Sequence, residues 1–190
     1  MPSKTAIGGL VLLALMLRNS NPGTAAPPIA ASANEVARTA TGNTPSWFAD
    51  RYALALEVLT PNVPAAVLRD VTLSVVAQWA HETARGKSEF NFNLGGWMAR
   101  KGEPYFTARD VLGAPGVRKW RAFRDLPNAV AQQLEALHNR FPSAWAKLIA
   151  QPTSSAWVEE LGRKGYYEGT PAAYARAWAM NRAELGRLVA

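Results

Sequence analysis

Glu82 stands at the end of an otherwise apolar helical pattern and is followed by a loop rich in asparagine and glycine. Val71, Val75, Trp79 and Glu82 follow one another at steps of four, four and three, which places their side chains on one helical face. Because such a face normally meets the core, Glu82 should be partly desolvated, and burial raises the pKa of a carboxyl group. The pattern therefore predicts a carboxylic acid that can donate a proton near neutral pH.

A simpler interpretation of Glu82 is also open. An exposed glutamate at the end of a helix could pair with Arg85 or Lys87 on the next turn and have no catalytic role. The spacing alone does not separate this interpretation from that of a proton donor.

Other catalytic chemistries find little support in the sequence. His81 and Glu82 resemble the start of a zinc-protease helix, but the position of the required second histidine is taken by Arg85, and the other histidine of the chain is His138. The chain has no cysteine, no Gly-x-Ser-x-Gly elbow and no glycine-rich phosphate or dinucleotide loop. We therefore expect no metal and no cofactor, which leaves carboxylate chemistry for an enzyme.

The loop over residues 90–96 carries groups that could bind a sugar. Asparagine amides such as that of Asn93 bind hydroxyl and acetamido groups, and flat rings such as that of Phe92 can lie against a sugar face. We predict that Phe92, Asn93 and Gly96 contact substrate. The alternative is a turn that uses asparagine and glycine because these residues tolerate positive φ.

The elements that must position these residues are mostly helical. Thr44 and Pro45 predict the start of a helix over 46–59, and a second helix should run over about 65–84 and end at Gly86. Residues 90–123 are rich in Gly, Pro and short aromatic or β-branched pieces, which predicts a small hairpin with long loops. Helical spacing returns over residues 126–141, 143–150 and 155–162 and again after Pro171.

The segment around Glu82 resembles one enzyme family. Residues 77–86 read Ala-Gln-Trp-Ala-His-Glu-Thr-Ala-Arg-Gly and are followed by Asn93, Leu94 and Gly96. This resembles the segment around the catalytic glutamate in the flagellar-rod and autolysin type of β-N-acetylglucosaminidase, which reads approximately Ala-Gln-x-x-Leu-Glu-Ser-Gly-Trp-Gly and then Asn-Leu-Phe-Gly. That family cleaves peptidoglycan and has a lysozyme-like fold.

Two later segments extend the resemblance to roughly residues 65–185, in the order of the family. Residues 120–124 and the helix pattern after them look like the family's strand ending in Phe-Arg and its next helix. Gly165 and Tyr166, followed by Pro171 and Tyr174, are similar to its Gly-Tyr-Ala-Thr-Asp-Pro-x-Tyr-Ala element.

The resemblance implies a fold and a set of roles. It implies a mainly α, lysozyme-like α+β domain with a small β-hairpin beside a cleft, and Glu82 as the general acid. Tyr166 would orient the acetamido group or stabilise the transition state, although a tyrosine of the core is the alternative. We assign Tyr167 and Tyr174 to substrate binding.

The second acid is where the chain departs from the family. The family often carries a glutamate after paired threonines in the hairpin, but here Thr107 is followed by Ala108, Arg109 and Asp110. The helper carboxylate could be Asp110, Glu103 or neither, and we assign it to Asp110. Replacements at His81, at residues 84–85 and at Gly95, and the extra residues 167–169, also distinguish the chain.

Together with the resemblance, these residues predict a glycosidase that cleaves the β-1,4 backbone of peptidoglycan strands, and the resemblance favours a β-N-acetylglucosaminidase. The alternatives within this chemistry are a muramidase and a lytic transglycosylase. A catalytically inactive module that binds peptidoglycan is the rival from another class.

Composition limits the number of domains and the class of binding partner. The 190 residues are 48% hydrophobic, which suffices for one core, and the formal net charge of +7 favours polyanionic partners. These could be nucleic acid, anionic lipid or the polymers of a bacterial wall, but no groove-reading motif is present and we expect no nucleic acid. A basic surface that is merely solvated is the alternative.

The start of the chain looks like an export segment. Residues 6–17 form an uncharged run of 12 residues. Such a helix would span about 18 Å, less than the roughly 30 Å of a bilayer core. We assign residues 1–18 to a signal-like or membrane-anchor segment, 19–43 to a flexible linker and 44–190 to the glycosidase domain. A buried helix is the alternative for residues 6–17. An exported, periplasmic or wall-facing location follows, and a virion-associated enzyme would also fit.

Overall fold

The computed structural model describes Thr39 and residues 45–109 and 117–188. Within these residues the chain forms six helices and one two-stranded antiparallel sheet. In chain order they are α1 Pro45–Leu59, α2 Ala65–Glu82, β1 Tyr105–Arg109, β2 Val117–Arg121, α3 Leu126–Arg140, α4 Pro142–Ala150, α5 Ala156–Arg163 and α6 Pro171–Leu188. The predicted fold class, mainly helical with a small hairpin, is confirmed.

Helix α2 is the central element of the domain. Its residues from Val71 to Ala80 are all buried, so this part of the helix is enclosed on every side rather than on the single face that the spacing predicted. Helix α6 packs along it, with the Trp178 indole donating to the carbonyl oxygen of Ser74 at 2.9 Å and Arg182 pairing with Asp70 at 2.5 Å. The enclosed helix carries Glu82 at its C-terminal end.

The hairpin is attached to the loop that follows Glu82. Strand β1 pairs with β2 in a register that places Tyr105 opposite Arg121. The amide of Arg121 donates to the carbonyl oxygen of Trp97 at 2.8 Å, and Met98 forms an isolated bridge with Trp120. The hairpin and the loop therefore form one unit.

A second, smaller apolar cluster joins this unit to α3. It consists of four buried residues, Trp97, Phe123, Ala129 and Ala136. Helix α3 begins at a capping residue, because the Asp125 carboxylate accepts a hydrogen bond from the Asn128 amide at 2.8 Å. The hairpin, the loop after Glu82 and α3 thus share a common packing centre.

Several sequence predictions concern residues outside the described part of the chain. The leader at 1–18, most of the linker at 19–43 and Asp110 lie there. Among the described residues, none of the helices is long and apolar enough to cross a membrane. Thr39 belongs to the predicted linker, and its hydroxyl donates to Glu89 at 3.0 Å and accepts from the Phe92 amide at 3.0 Å.

Candidate active site

Glu82 is the last residue of α2, and its side chain is half-buried. Two neutral donors approach its Oε1 atom. The amide Nε2 of Gln78, one helical turn earlier, lies 3.3 Å away, and the hydroxyl of Tyr174 on α6 donates to the same oxygen. Helix packing therefore fixes one carboxyl oxygen and leaves Oε2 for other contacts.

Burial raises the pKa of Glu82 to about 7, and the hydrogen bonds from Tyr174 and Gln78 lower it in part. The nearby cation Arg85 turns to α6, where it pairs with Glu184 at 2.5 Å and donates to Asn181 at 2.8 Å. Glu82 is therefore held by neutral groups, as expected for a carboxyl group that exchanges a proton near neutral pH.

Gln78 links the three polar side chains of this site. Its Nε2 atom lies 2.8 Å from the Tyr166 hydroxyl and 3.2 Å from the Tyr174 hydroxyl, in addition to its contact with Glu82. An amide nitrogen has two protons for these three oxygens, so at least one contact is shared. Gln78 lies within the motif that carries the family resemblance, but the sequence pattern predicted no role for it. Its position one turn before Glu82, on the same helical face, was the available signal.

Tyr166 holds the glycine loop next to Glu82. Its hydroxyl donates to the carbonyl oxygen of Gly95 at 2.8 Å and accepts from Gln78. Burial and the nearby charge of Glu82 raise the pKa of Tyr166 well above its usual value, so the hydroxyl keeps its proton. These contacts assign Tyr166 to the architecture of the site, and its action on substrate stays a prediction.

Gly95 is required for this close approach, and Gly96 lies beside Glu82 with a positive φ. Gly96 has φ +62°, and a Cβ built on it would lie 3.4 Å from Oε2 of Glu82. A Cβ on Gly95 would lie 2.5 Å from Nε1 of Trp97 and 2.8 Å from the Tyr166 hydroxyl. The side chains of Trp97 and Tyr166 therefore occupy the space that a larger residue at Gly95 would need. The family that this chain resembles has phenylalanine at this position.

Asn93 uses its amide within the protein. The Nδ2 atom donates to the carbonyl oxygens of Trp97 at 2.9 Å and Arg121 at 3.1 Å, and Oδ1 accepts from the Trp97 amide at 2.9 Å. Phe92 is half-buried against the smaller apolar cluster, with φ +56°. Both residues shape the loop, and their contact with substrate stays a prediction.

Tyr167 and Tyr174 form a stacked pair beside Glu82. Their ring centroids are 3.8 Å apart and the rings are almost parallel, at 4°. The Tyr167 hydroxyl donates to the carbonyl oxygen of Val158 at 2.9 Å, while His81 packs edge-on against Tyr174 at 4.4 Å. The pair orients the Tyr174 hydroxyl toward Glu82, and substrate binding by either ring stays a prediction.

Asp110 and Glu103 are the two carboxylates considered as the second acid. Asp110 lies outside the described residues. Glu103 accepts from the Arg100 amide at 2.8 Å and lies 3.6 Å from Arg121, so its carboxylate serves the base of the hairpin. Across the described residues, no group of three or more His, Cys, Asp or Glu side chains could hold a metal ion.

The fold is shared with solved structures of one protein, although the chain matches no family model and no curated protein. A peptidoglycan hydrolase from Sphingomonas sp. A1 matches with a TM-score of 0.60 and 21% identity over 77% of this chain and 93% of that one. A variant of that hydrolase with one glutamate replaced by alanine matches at 0.59 and 22%, over 77% and 95%. The likeness establishes a lysozyme-like α+β fold for this chain.

Proposed function

We propose that this protein cleaves the β-1,4 glycan backbone of peptidoglycan as a β-N-acetylglucosaminidase, with Glu82 as the general acid. The observation that carries the proposal is the state of the Glu82 carboxyl group: it is half-buried, bonded to neutral donors and has a pKa raised to about 7. A general acid works best when its pKa lies near the working pH. The fold shared with a peptidoglycan hydrolase supports the choice of substrate.

The hydrogen bonds indicate which oxygen of Glu82 carries the proton. Because Oε1 already accepts from Tyr174 and Gln78, the proton belongs on Oε2, the oxygen beside Gly96. In the proposed reaction this proton moves to the bridging oxygen, the bond from that oxygen to the anomeric carbon breaks, and positive charge develops on the sugar. The departing sugar leaves as an alcohol, and Glu82 becomes a carboxylate.

The second half of the reaction depends on the group that meets the anomeric carbon. We propose Asp110, which would activate water if it lies about 6.5 to 9.5 Å from Glu82 and would attack directly at about 5 to 5.5 Å. The acetamido group of the substrate is the alternative nucleophile. A sugar hydroxyl that closes an anhydro ring would make the protein a lytic transglycosylase.

The remaining residues have supporting roles in this proposal. Tyr166 keeps Gly95 and Gly96 against Glu82, and Tyr174 fixes the carboxyl group. Phe92, Asn93, Gly96, Tyr167 and Tyr174 are proposed to line the path of the glycan strand. Since peptidoglycan lies outside the cytoplasm, the proposal also places the protein in the periplasm or at the wall, with residues 1–18 as the export segment and residues 6–17 as a membrane contact.

The test uses purified sacculi and analysis of the product ends. The parent should release reducing N-acetylglucosamine ends, and Glu82→Gln, which keeps the shape but removes the acid, should lower the rate about a thousandfold. Glu57→Gln, an exposed position on α1, is the matched control and should match the parent. Reducing N-acetylmuramic acid ends would identify a muramidase, and 1,6-anhydro ends a transglycosylase. Binding to sacculi without release of fragments would favour the inactive wall-binding module.

A further inference from the structure

Two arginines lie over aromatic rings of the smaller apolar cluster, and a third, Arg100, is near enough for its charge to act on one of them. We name Arg100, Arg121 and Arg140 the arginine cluster. The guanidinium carbon of Arg140 is 5.0 Å from the ring centroid of Trp97, and that of Arg121 is 4.9 Å from the ring of Phe123. Arg100 is exposed, and the other two are half-buried. A guanidinium group that stacks on an aromatic ring keeps its in-plane donors for an anion.

Among the described residues, the arginine cluster carries more positive charge than its neighbouring carboxylate can neutralise. Burial, and then the positive charge of Arg100, lower the pKa of Arg140, while the charge of Glu103 raises it in part and that of Arg121 lowers it. Within residues 45–109 and 117–188, the carboxylate in ion-pair contact with the cluster is Glu103, 3.6 Å from Arg121. Three cations therefore share one carboxylate, an arrangement that an anionic ligand would stabilise.

The arginine cluster is one aromatic ring away from the candidate active site. The Trp97 ring that carries Arg140 packs edge-on against Tyr166, with 5.3 Å between centroids. The Tyr166 hydroxyl in turn is bonded to Gly95 and to Gln78, the partner of Glu82. The arginine cluster and Glu82 are therefore connected through Trp97, Tyr166 and Gln78.

We propose that the arginine cluster binds carboxylates of the stem peptides carried by peptidoglycan strands, and that the protein thereby selects strands that still bear their peptides. This inference rests on the proposed function, because it takes the glycan strand as the ligand at Glu82. Stem peptides supply carboxylates at a short distance from the sugar backbone. Arginine binds a carboxylate through two parallel hydrogen bonds, which gives the contact both strength and direction.

The experiment measures binding to soluble strands in a Glu82→Gln background, so that turnover does not interfere. Three ligands are compared: peptide-bearing strands, the same strands with their carboxylates converted to amides by carbodiimide and ammonia, and strands freed of peptides by an amidase. The Arg100→Gln and Arg140→Gln double variant is compared with Arg187→Gln, which makes the same charge change at an exposed position on α6. Arg121 is kept because it contacts Glu103 and Gln132.

We expect the double variant to bind peptide-bearing strands about tenfold more weakly, since charged hydrogen bonds are lost. Added salt should reduce this difference. The amidated and the peptide-free strands should bind both proteins equally, and a single-stranded oligonucleotide should displace peptide-bearing strands poorly. Circular dichroism melting checks that the double variant is folded, and the single variants serve if it is not.

The inference would be overturned by an unchanged affinity in the folded double or single variants, by an equal loss on all three ligands, or by equal displacement by the oligonucleotide. A loss on peptide-free strands would assign the carboxylate to the muramyl lactyl group and would also contradict the stem-peptide assignment. Binding is measured without cleavage, so the two proposals can fail separately. If the Glu82→Gln protein prefers peptide-bearing strands but the parent protein releases no product ends, the proposed function is contradicted and this inference stands.

Discussion

Two glutamates seven residues apart, Glu82 and Glu89, have opposite surroundings. Glu89 is fully buried, and Arg51 donates to its two oxygens at 2.6 to 3.0 Å. Trp47 and Thr39 add hydrogen bonds at 2.9 and 3.0 Å. Glu82 has neutral partners and is half-buried. Glu89 is therefore fixed in place by a cation and two further donors, whereas Glu82 is held by neutral donors in surroundings that favour proton exchange.

The chain between the two glutamates makes this difference. Ala84, Arg85 and Gly86 all have positive φ, at 46°, 58° and 82°, and they turn the backbone sharply after α2. The left-handed region costs a non-glycine residue about 1 to 2 kcal/mol, so the turn has to be held from elsewhere. Glu89, bonded to α1 through Arg51, provides that attachment. Glu89, the fixed glutamate, thus supports the geometry around Glu82, the reactive glutamate.

The largest expected effect concerns the fixed glutamate. Glu89→Ala should lower the free energy of unfolding by about 3 to 5 kcal/mol, because the Arg51 charge is then buried without a partner. Urea unfolding monitored by circular dichroism measures the loss. The double variant Arg51→Met and Glu89→Leu is the control, and it should recover much of the stability because neither charge remains. A loss below about 1 kcal/mol, the value of an exposed ion pair, would contradict the role of Glu89 as the buried partner of Arg51.

The reactive glutamate should behave in the opposite way. Its pKa is raised from 4.5 to about 7, so between these pH values the folded parent holds one proton more than the unfolded chain. The contribution of the Glu82 carboxyl group to the free energy of unfolding is therefore fully present below about pH 4.5, and it is lost as the pH rises through about 7. Glu82→Gln removes this loss and should be about 2 to 3 kcal/mol more stable than the parent at pH 8. Near pH 4.5 the two proteins should unfold alike.

Urea unfolding at the two pH values measures this second effect, and Glu57→Gln again serves as the control for a lost carboxylate. A Glu82→Gln variant that is less stable than the parent at pH 8 would mean that the parent's carboxylate is well stabilised in the folded protein. That result would weaken the assignment of Glu82 as a proton donor.

The sequence predicted the helical framework well because its signals are local. The apolar spacing and Pro45 gave α1 and α2, and the fold class followed. Helix α2 ends at Glu82, before the predicted end near residue 84, because Ala84 and Arg85 adopt positive φ, which residue type did not indicate.

The site was predicted only in part because its contacts are long-range. Glu89 was overlooked, since Arg51 and Thr39 lie 38 and 50 residues away in the chain. Asn93 was assigned to substrate from its residue type, and that contact stays a prediction. Its bonds to the backbone of Trp97 and Arg121, which hold the loop to the hairpin, were not predicted. Residue types define what a side chain can bind, but the fold decides which partner is present.

Alanine substitutions at Gly86 and Gly96 test whether Glu89 and Glu82 have separate roles. A Cβ on Gly86 would lie 2.6 Å from Nε1 of Trp47, a partner of Glu89, and φ is +82°. Gly86→Ala should therefore lower the free energy of unfolding by about 1 to 3 kcal/mol. Gly96→Ala, with its Cβ 3.4 Å from Oε2 of Glu82, should cost about 1 kcal/mol in stability and should mainly reduce kcat on peptidoglycan.

Melting temperatures and cleavage rates of both variants are measured under the same conditions. Gly102→Ala is the control for positive φ alone, because nothing lies within 4 Å of a Cβ at that position. Equal activity losses in Gly86→Ala and Gly96→Ala, after correction for the folded fraction, would contradict the separate roles of the turn near Glu89 and the glycine beside Glu82.

The smallest expected effect concerns the hydroxyl that contacts Glu82. The hydrogen bond from Tyr174 lowers the pKa of Glu82, so Tyr174→Phe should raise that pKa further and move the fall in kcat with rising pH to a value above about 7. Because one hydrogen bond contributes about 1 kcal/mol, kcat at pH 6 should change by less than about tenfold. Tyr167→Phe is the matched control, since its hydroxyl contacts Val158 instead. A fall in kcat that moves to lower pH in Tyr174→Phe, or moves equally in both variants, would show that the stacked pair acts on Glu82 by packing rather than through the hydroxyl.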